Sequence, residues 1–178
     1  MMRADTRAES FWRFSLMVYA RPGVAAALIA LQDRGGHNIN LLLFGLWLAV
    51  CGSGKLDPAG LARATAAIAG LDGEVVQPLR RLRRALKYDA IGADPDRDVQ
   101  ELRRRVLALE LAAERRVQAR LAGNVARRRS GGAADRAALA EANLRLILGD
   151  DFNSPEAALI LQAVSHSVTP AKAGTQGE

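Results

Sequence analysis

The fold of this chain is decided by residues 11–50, which read FWRFSLMVYARPGVAAALIALQDRGGHNINLLLFGLWLAV. Both tryptophans of the chain lie in this stretch, and residues 39–51 are apolar on nearly every side of a helix. A helix that is apolar all round is normally buried, so we expect this segment to be the central helix of the fold. Asn38 directly precedes it and is suited to cap its first turn.

The remaining sequence continues the helical pattern. Ala and Leu dominate its apolar residues, and both favour helices. Apolar positions recur three or four residues apart, and Gly, Pro and Asp-Pro pairs mark the ends of the periodic segments. The sequence therefore predicts an all-α, single-domain bundle of about seven or eight helices with one long basic helix. The predicted helices cover residues 6–20, 22–34, 39–51, 58–70, 73–88, 96–127, 134–148 and 155–165.

The ends of the chain bound this domain, which we place at residues 6–166. Residues 167–178 are polar with Pro and Gly, which predicts a disordered tail, and Val168–Gln176 resembles peptides translated from dispersed genomic repeats. The longest apolar run is too short to span a bilayer, so we expect a soluble, cytoplasmic protein that does not contact membranes. The single cysteine, Cys51, excludes an intrachain disulfide, and its apolar surroundings predict a buried side chain.

Arginine supplies the strongest charge signal. The chain has 22 arginines and 3 lysines, and residues 78–130 hold 15 basic and 7 acidic side chains. One interpretation is binding of nucleic-acid phosphates, and the other is a solvated helix face that Glu101, Glu110 and Glu114 partly neutralise. A GC-rich genome would also explain the arginine excess. The candidate anion contacts are Arg80, Arg81, Arg83, Arg84, Arg103, Arg104, Arg127, Arg128 and Arg129.

The long basic helix also carries an apolar stripe. Its members recur three or four residues apart, which predicts packing on the bundle, on a protein partner or on a second copy of the chain. The stripe consists of Val99, Leu102, Val106, Leu109, Val117 and Leu121, with Ala113 between Leu109 and Val117.

Polar side chains within the first three helices form a second candidate site. They line a small-molecule or enzymatic pocket in one interpretation and a structural hydrogen-bond network in the other. These residues are Tyr19, Gln32, Asp33, Asn38 and Asn40. Neither catalytic spacing nor a metal-ligand set is present, and Gly52-Ser53-Gly54-Lys55 lacks the first glycine and the Ser or Thr of a phosphate loop. We therefore expect no metal and no cofactor.

Several segments resemble the pattern of an uncharacterised proteobacterial family of small helical proteins. The resemblance covers about residues 11–121, with Asn38 in place of an Asp and Leu71 in place of a Trp. It implies a helical fold and supplies no activity. The matching segments are Phe11–Leu16, Tyr19, Pro22–Val24, Leu31–Asp33, Asn40–Leu43, Trp47-Leu48, Val76–Arg80, Leu86-Lys87, Glu110-Leu111 and Ala113-Glu114.

These observations favour a non-enzymatic interaction or adaptor module that binds a protein partner or itself through the stripe. A nucleic-acid- or ribosome-associated protein is the alternative, and a pocket among the first three helices is the second alternative.

Overall fold

A computed structural model describes residues 2–51, 54–89, 97–125 and 133–168 of the chain. Every regular element in these ranges is a helix, which confirms the all-α prediction. A π-helical turn, Asp72–Val76, joins the fourth and fifth helices, and a 3-10 turn, Gly149–Asn153, joins the last two. The α-helices are α1 (Met2–Tyr19), α2 (Val24–Gly35), α3 (Ile39–Val50), α4 (Pro58–Leu71), α5 (Gln77–Asp89), α6 (Arg97–Gly123), α7 (Ala133–Leu148) and α8 (Pro155–Val168).

Local chemistry sets the helix ends near their predicted positions. Gly36 ends α2 in the left-handed conformation, with φ of 67°, and its N–H donates to the Gln32 carbonyl at 3.1 Å. The Asn38 side chain then caps α3 by accepting from the backbone N–H of Asn40 at 2.9 Å. The chain departs from the prediction at the far end, where α8 continues to Val168 instead of ending at a tail that begins with residue 167. The rest of that tail, residues 169–178, lies outside the described residues.

Contacts within the helical chain divide it into two compact units. Unit 1 is drawn from Met1–Trp12 and Ala59–Val125, and unit 2 from Arg13–Pro58 and Ala126–Glu178. Unit 1 is therefore built mainly from one continuous segment, whereas unit 2 is assembled from two segments that are distant in sequence.

Unit 2 is centred on α3, as the sequence predicted. Ten of its apolar residues and Asn40 are buried, and it packs along α7, while α2 packs on α8. Gly45 permits the close approach of α7, since a Cβ atom there would lie 2.7 Å from Cδ1 of Ile147. Asn143 of α7 is fully buried and joins three backbone groups: it accepts from Leu56 N–H at 2.7 Å and donates to the carbonyls of Gly45 at 2.9 Å and Gly54 at 3.4 Å.

Unit 1 is built around the pairing of α5 with α6. The π-helical turn before α5 lets the Gln77 N–H donate to the Asp72 carbonyl, five residues back. This wider turn precedes Pro78, which has no N–H for an α-helical bond, so Pro78 begins the regular part of α5. The first turns of α1 also belong to this unit, where Arg7 donates to the Val125 carbonyl at 2.8 Å.

Candidate interaction surface

The apolar stripe of α6 is split between the interior and the surface. Val106, Val117 and Leu121 are buried, whereas Leu102 and Leu109 remain 49% and 59% exposed. Val99 is half-buried. The predicted stripe is therefore divided into a buried part and an exposed part. At about 100° per residue the two leucines lie to one side of Val106, and the unit does not cover that side.

The exposed leucines lie among cations on the same side of α6. Leu102, Arg105, Leu109, Arg116 and Arg120 fall within about 60° of one another around the helix, and all five are exposed. We call these five residues the outer face of α6. Asp98 lies on the same side in the first turn, and Arg105 donates to Glu101 at 3.1 Å.

Two exposed arginines lie at the C-terminal end of the outer face. Arg116 and Arg120 form no ion pair with any residue that the structure describes. A second apolar pair, Leu107 and Leu111, lies on the other side of the helix and is less exposed, at 38% and 44%. The outer face is therefore the more exposed and the more basic of the two sides.

A buried ionic cluster joins α5 to α6 on the covered side. Arg80 donates to Glu110 at 3.1 Å and to Glu114 at 2.5 Å, and Arg83 donates to Glu110 at 2.5 Å and 3.2 Å. The side chains of Arg80 and Glu110 are only 8% and 4% exposed. Charge-assisted bonds of this kind satisfy groups that would otherwise be costly to bury, so the cluster fixes how α5 sits on α6.

The pKa values of the two carboxyls of the cluster are shifted in opposite directions. Burial acts to raise the pKa of Glu110, but the hydrogen bonds from Arg83 and Arg80 outweigh it, so this pKa lies below its ordinary value. Burial raises the pKa of Glu114 above its ordinary value, and the nearby Glu110 carboxylate adds to this effect against the attraction of Arg80. Glu110 therefore keeps its negative charge to a lower pH than Glu114 does.

This cluster removes two of the predicted anion contacts from the surface. Arg80 and Arg83 are engaged by carboxylates, and Arg104 pairs with Glu101. Arg103 is half-buried. Phosphate binding by Arg80, Arg83 or Arg104 would first have to break these ion pairs.

The remaining predicted contacts are few among the described residues. Arg81 and Arg84 are exposed on α5. Arg127, Arg128 and Arg129 lie outside the described residues. The basic surface that the structure describes is therefore smaller than the sequence suggested, because several arginines of the run are engaged by carboxylates.

The polar residues of the first three helices take separate positions. Asn38 is a helix cap, Asn40 is buried and hydrogen-bonded, and Asp33 is exposed. Tyr19 and Gln32 are half-buried. Asn38 thus serves α3 as its cap, and the structural interpretation accounts for this residue without a ligand.

Sequence reasoning missed a cleft of about 800 Å³ in unit 2, between residues 55–58 and α7. None of the predicted pocket residues lines it. Arg145 at its rim already pairs with Glu141 at 2.9 Å and lies over the Phe152 ring at 4.0 Å. Lys55 and Asp57 add one charge of each sign, so the lining does not select a ligand by charge.

Comparison with known proteins places the chain in a family. The family model described as "Protein of unknown function (DUF2390)" matches residues 10–121, which is more than half of the chain. The chain belongs to this family. The predicted resemblance to an uncharacterised family is thereby confirmed. No curated protein and no solved structure matches the chain.

The DUF2390 match covers parts of both units. It includes α2–α5 and α6 as far as Leu121, and with them Arg80, Glu110 and Glu114 of the ionic cluster. It ends before α7 and α8, the helices that pack on α3 and α2. The family match therefore spans most of unit 1 but only the first segment of unit 2.

The described residues contain neither a metal-binding cluster nor a single membrane-spanning helix. Across the ranges that the structure describes, no three His, Cys, Asp or Glu side chains converge as a metal site would require. Among the same residues no single helix has both the length and the apolarity to cross a membrane. Thr6–Tyr19 and Val24–Gly35 meet that test only as a pair bent by 100°.

Proposed function

We propose that this DUF2390 protein is a non-enzymatic interaction module of the cytoplasm, which binds a protein partner through the outer face of α6. The observation that carries the proposal is the exposure of Leu102 and Leu109 side by side on one helix. Isolated exposed leucines are common, but two of them aligned two turns apart and flanked by arginines are typical of an interface.

The distribution of charge favours a protein over a nucleic acid. Arg80 and Arg83 are neutralised within the unit, which leaves fewer cations for phosphate binding than the sequence indicated. Exposed leucines also contribute little to phosphate contacts, whereas they supply the apolar centre of a protein interface. Association with RNA or DNA through the remaining arginines is therefore an outcome that the experiment must detect.

A site-specific cross-linking experiment tests this proposal. A photoreactive amino acid replaces Leu109 in one variant and Leu107 in a matched control, since both are exposed on α6 but point to opposite sides. Tagged chains are irradiated in the cells that make them and purified with and without nuclease. We expect protein adducts from position 109 and fewer from position 107.

The same experiment can refute the proposal. Equal protein adducts at both positions, or none at position 109, would show that the outer face does not bind a protein. Adducts that nuclease removes would favour the nucleic-acid alternative.

A further inference from the structure

We infer that the segment docked on the outer face of α6 is an acidic amphipathic helix of another protein, and not a second copy of this chain. This inference rests on the proposed function and specifies the chemistry of its partner. It is argued from the spacing of the leucines, the charges beside them and the small apolar area.

The spacing of the leucines suits a helix. Leu102 and Leu109 are seven residues apart, so their side chains repeat about every 10 Å along one side of α6. A partner helix presents apolar residues at the same interval, because positions seven apart return to the same face. An extended strand repeats its side chains about every 7 Å on one face and would not match both leucines.

The charges set the chemistry of that helix. Arg105, Arg116 and Arg120 flank the leucines, with the carboxylate of Asp98 on the same side, and Arg105 is itself paired with Glu101. Arg116 and Arg120 form no ion pair with the described part of the chain. A partner with carboxylates beside its apolar stripe gains attraction there, whereas a basic partner is repelled.

The same charges argue against a second copy. A two-fold pairing of this face would bring together two surfaces that each carry more cations than carboxylates, which costs free energy. The apolar area of two half-exposed leucines is also far below the roughly 1,200–2,000 Å² that a stable interface buries, so a complex on this face is weak. The face therefore fits a weak, salt-sensitive complex with a heterologous acidic helix.

Fluorescence anisotropy with a designed probe tests the inference on the full chain. The probe is a labelled synthetic peptide that forms about three helical turns for each pair of leucines. The two leucines of a pair are seven residues apart, and glutamates lie beside them. A second probe carries lysines in place of the glutamates. We expect saturable binding of the glutamate probe, weaker binding at high salt, and no binding of the lysine probe.

Charge reversal supplies the matched control. Arg116→Glu with Arg120→Glu should lower the affinity for the glutamate probe at least about tenfold. Arg63→Glu with Arg81→Glu changes the net charge equally at exposed sites outside this face, and should leave most of the affinity intact. Circular dichroism establishes that each variant is folded.

Three results would overturn the inference. The lysine probe could bind as tightly as the glutamate probe, the two double variants could lose affinity equally, or the glutamate probe could fail to bind. Dissociation of a dimer of the chain by Leu109→Arg in sedimentation would instead identify a second copy as the occupant. Cross-links to a protein at position 109 together with failure of the glutamate probe would refute this inference alone. Loss of those cross-links would refute the proposed function.

Discussion

Replacing Glu110 by Gln tests whether the buried ionic cluster contributes more to the free energy of unfolding than an exposed ion pair does. Glu110 accepts three hydrogen bonds from Arg80 and Arg83, and its side chain is 4% exposed. The amide keeps the shape but removes the charge, and its NH2 group meets guanidinium donors. Breaking a buried ion pair by removing one partner costs about 3–5 kcal/mol.

The expected cost lies at the lower end of that range. Arg80 keeps its bond to Glu114 at 2.5 Å, and the Arg83 side chain is 24% exposed, so it can turn toward water. We expect Glu110→Gln to lower the free energy of unfolding of unit 1 by about 3 kcal/mol. This corresponds to roughly a 150-fold change in the folding equilibrium constant.

Urea unfolding followed by tryptophan fluorescence measures this loss within the correct unit. Trp12 belongs to unit 1 and Trp47 to unit 2, so a Trp47→Phe background leaves Trp12 as the reporter. Arg115 lies over the Trp12 ring at 5.7 Å, which couples the emission of this residue to α6.

Glu101→Gln is the matched control. Glu101 also lies on α6 and also accepts three hydrogen bonds from two arginines, but its side chain is 43% exposed. Surface ion pairs contribute little, so this variant should leave the urea midpoint unchanged. The reasoning is refuted if the two variants lose stability equally, or if Glu110→Gln costs less than about 1 kcal/mol.

Four further outcomes follow from the two units. Asn143→Ala leaves buried backbone groups without partners and should destabilise unit 2 by about 2–3 kcal/mol, read from the urea midpoint. Gly45→Ala should change the free energy of unfolding by no more than about 1 kcal/mol, because the atom in the way is the Cδ1 end of the Ile147 side chain and alanine favours the helix, and a double-mutant cycle with Ile147→Val would show the coupling. Because the folded pKa of Glu114 is raised, the contribution of this residue to the free energy of unfolding should fall as the pH rises from 4.5, its ordinary pKa, through the raised pKa. Glu114→Gln should abolish that fall, and an unchanged pH profile would contradict it. The Cys51 thiol is exposed, so it should react fully with a thiol reagent in the native protein, whereas slow reaction would restore the prediction of burial.

Helix positions could be predicted because their causes are local. Asn38 and Gly36 act on groups within a few residues, and the apolar run of α3 identifies the buried helix by itself. Cys51 was misplaced because it follows the last helical residue, where an apolar neighbourhood in sequence no longer means burial.

The candidate surface could be predicted only in part. A periodic stripe shows which residues share a broad side of α6, but not how much of that side the neighbouring helix covers. Leu102 and Leu109 were grouped with buried residues for that reason. The ionic cluster was missed because it joins charges 27–34 residues apart. A signal was nevertheless present, since Glu110 lies four residues after Val106 and three before Ala113, on the buried side of the helix.

The assembly of unit 2 from two distant segments has a consequence during synthesis. The apolar helix α3 ends at Val50, and its packing partner α7 begins at Ala133. At a translation rate of about 5–20 residues per second, the ribosome makes the intervening chain in roughly 4–17 s. The α3 surface therefore leaves the exit tunnel before its cover exists, and all the helices of unit 1 are synthesised before α7 begins. A nascent chain stalled before α7 should accordingly recruit chaperones, and one that includes α8 should release them.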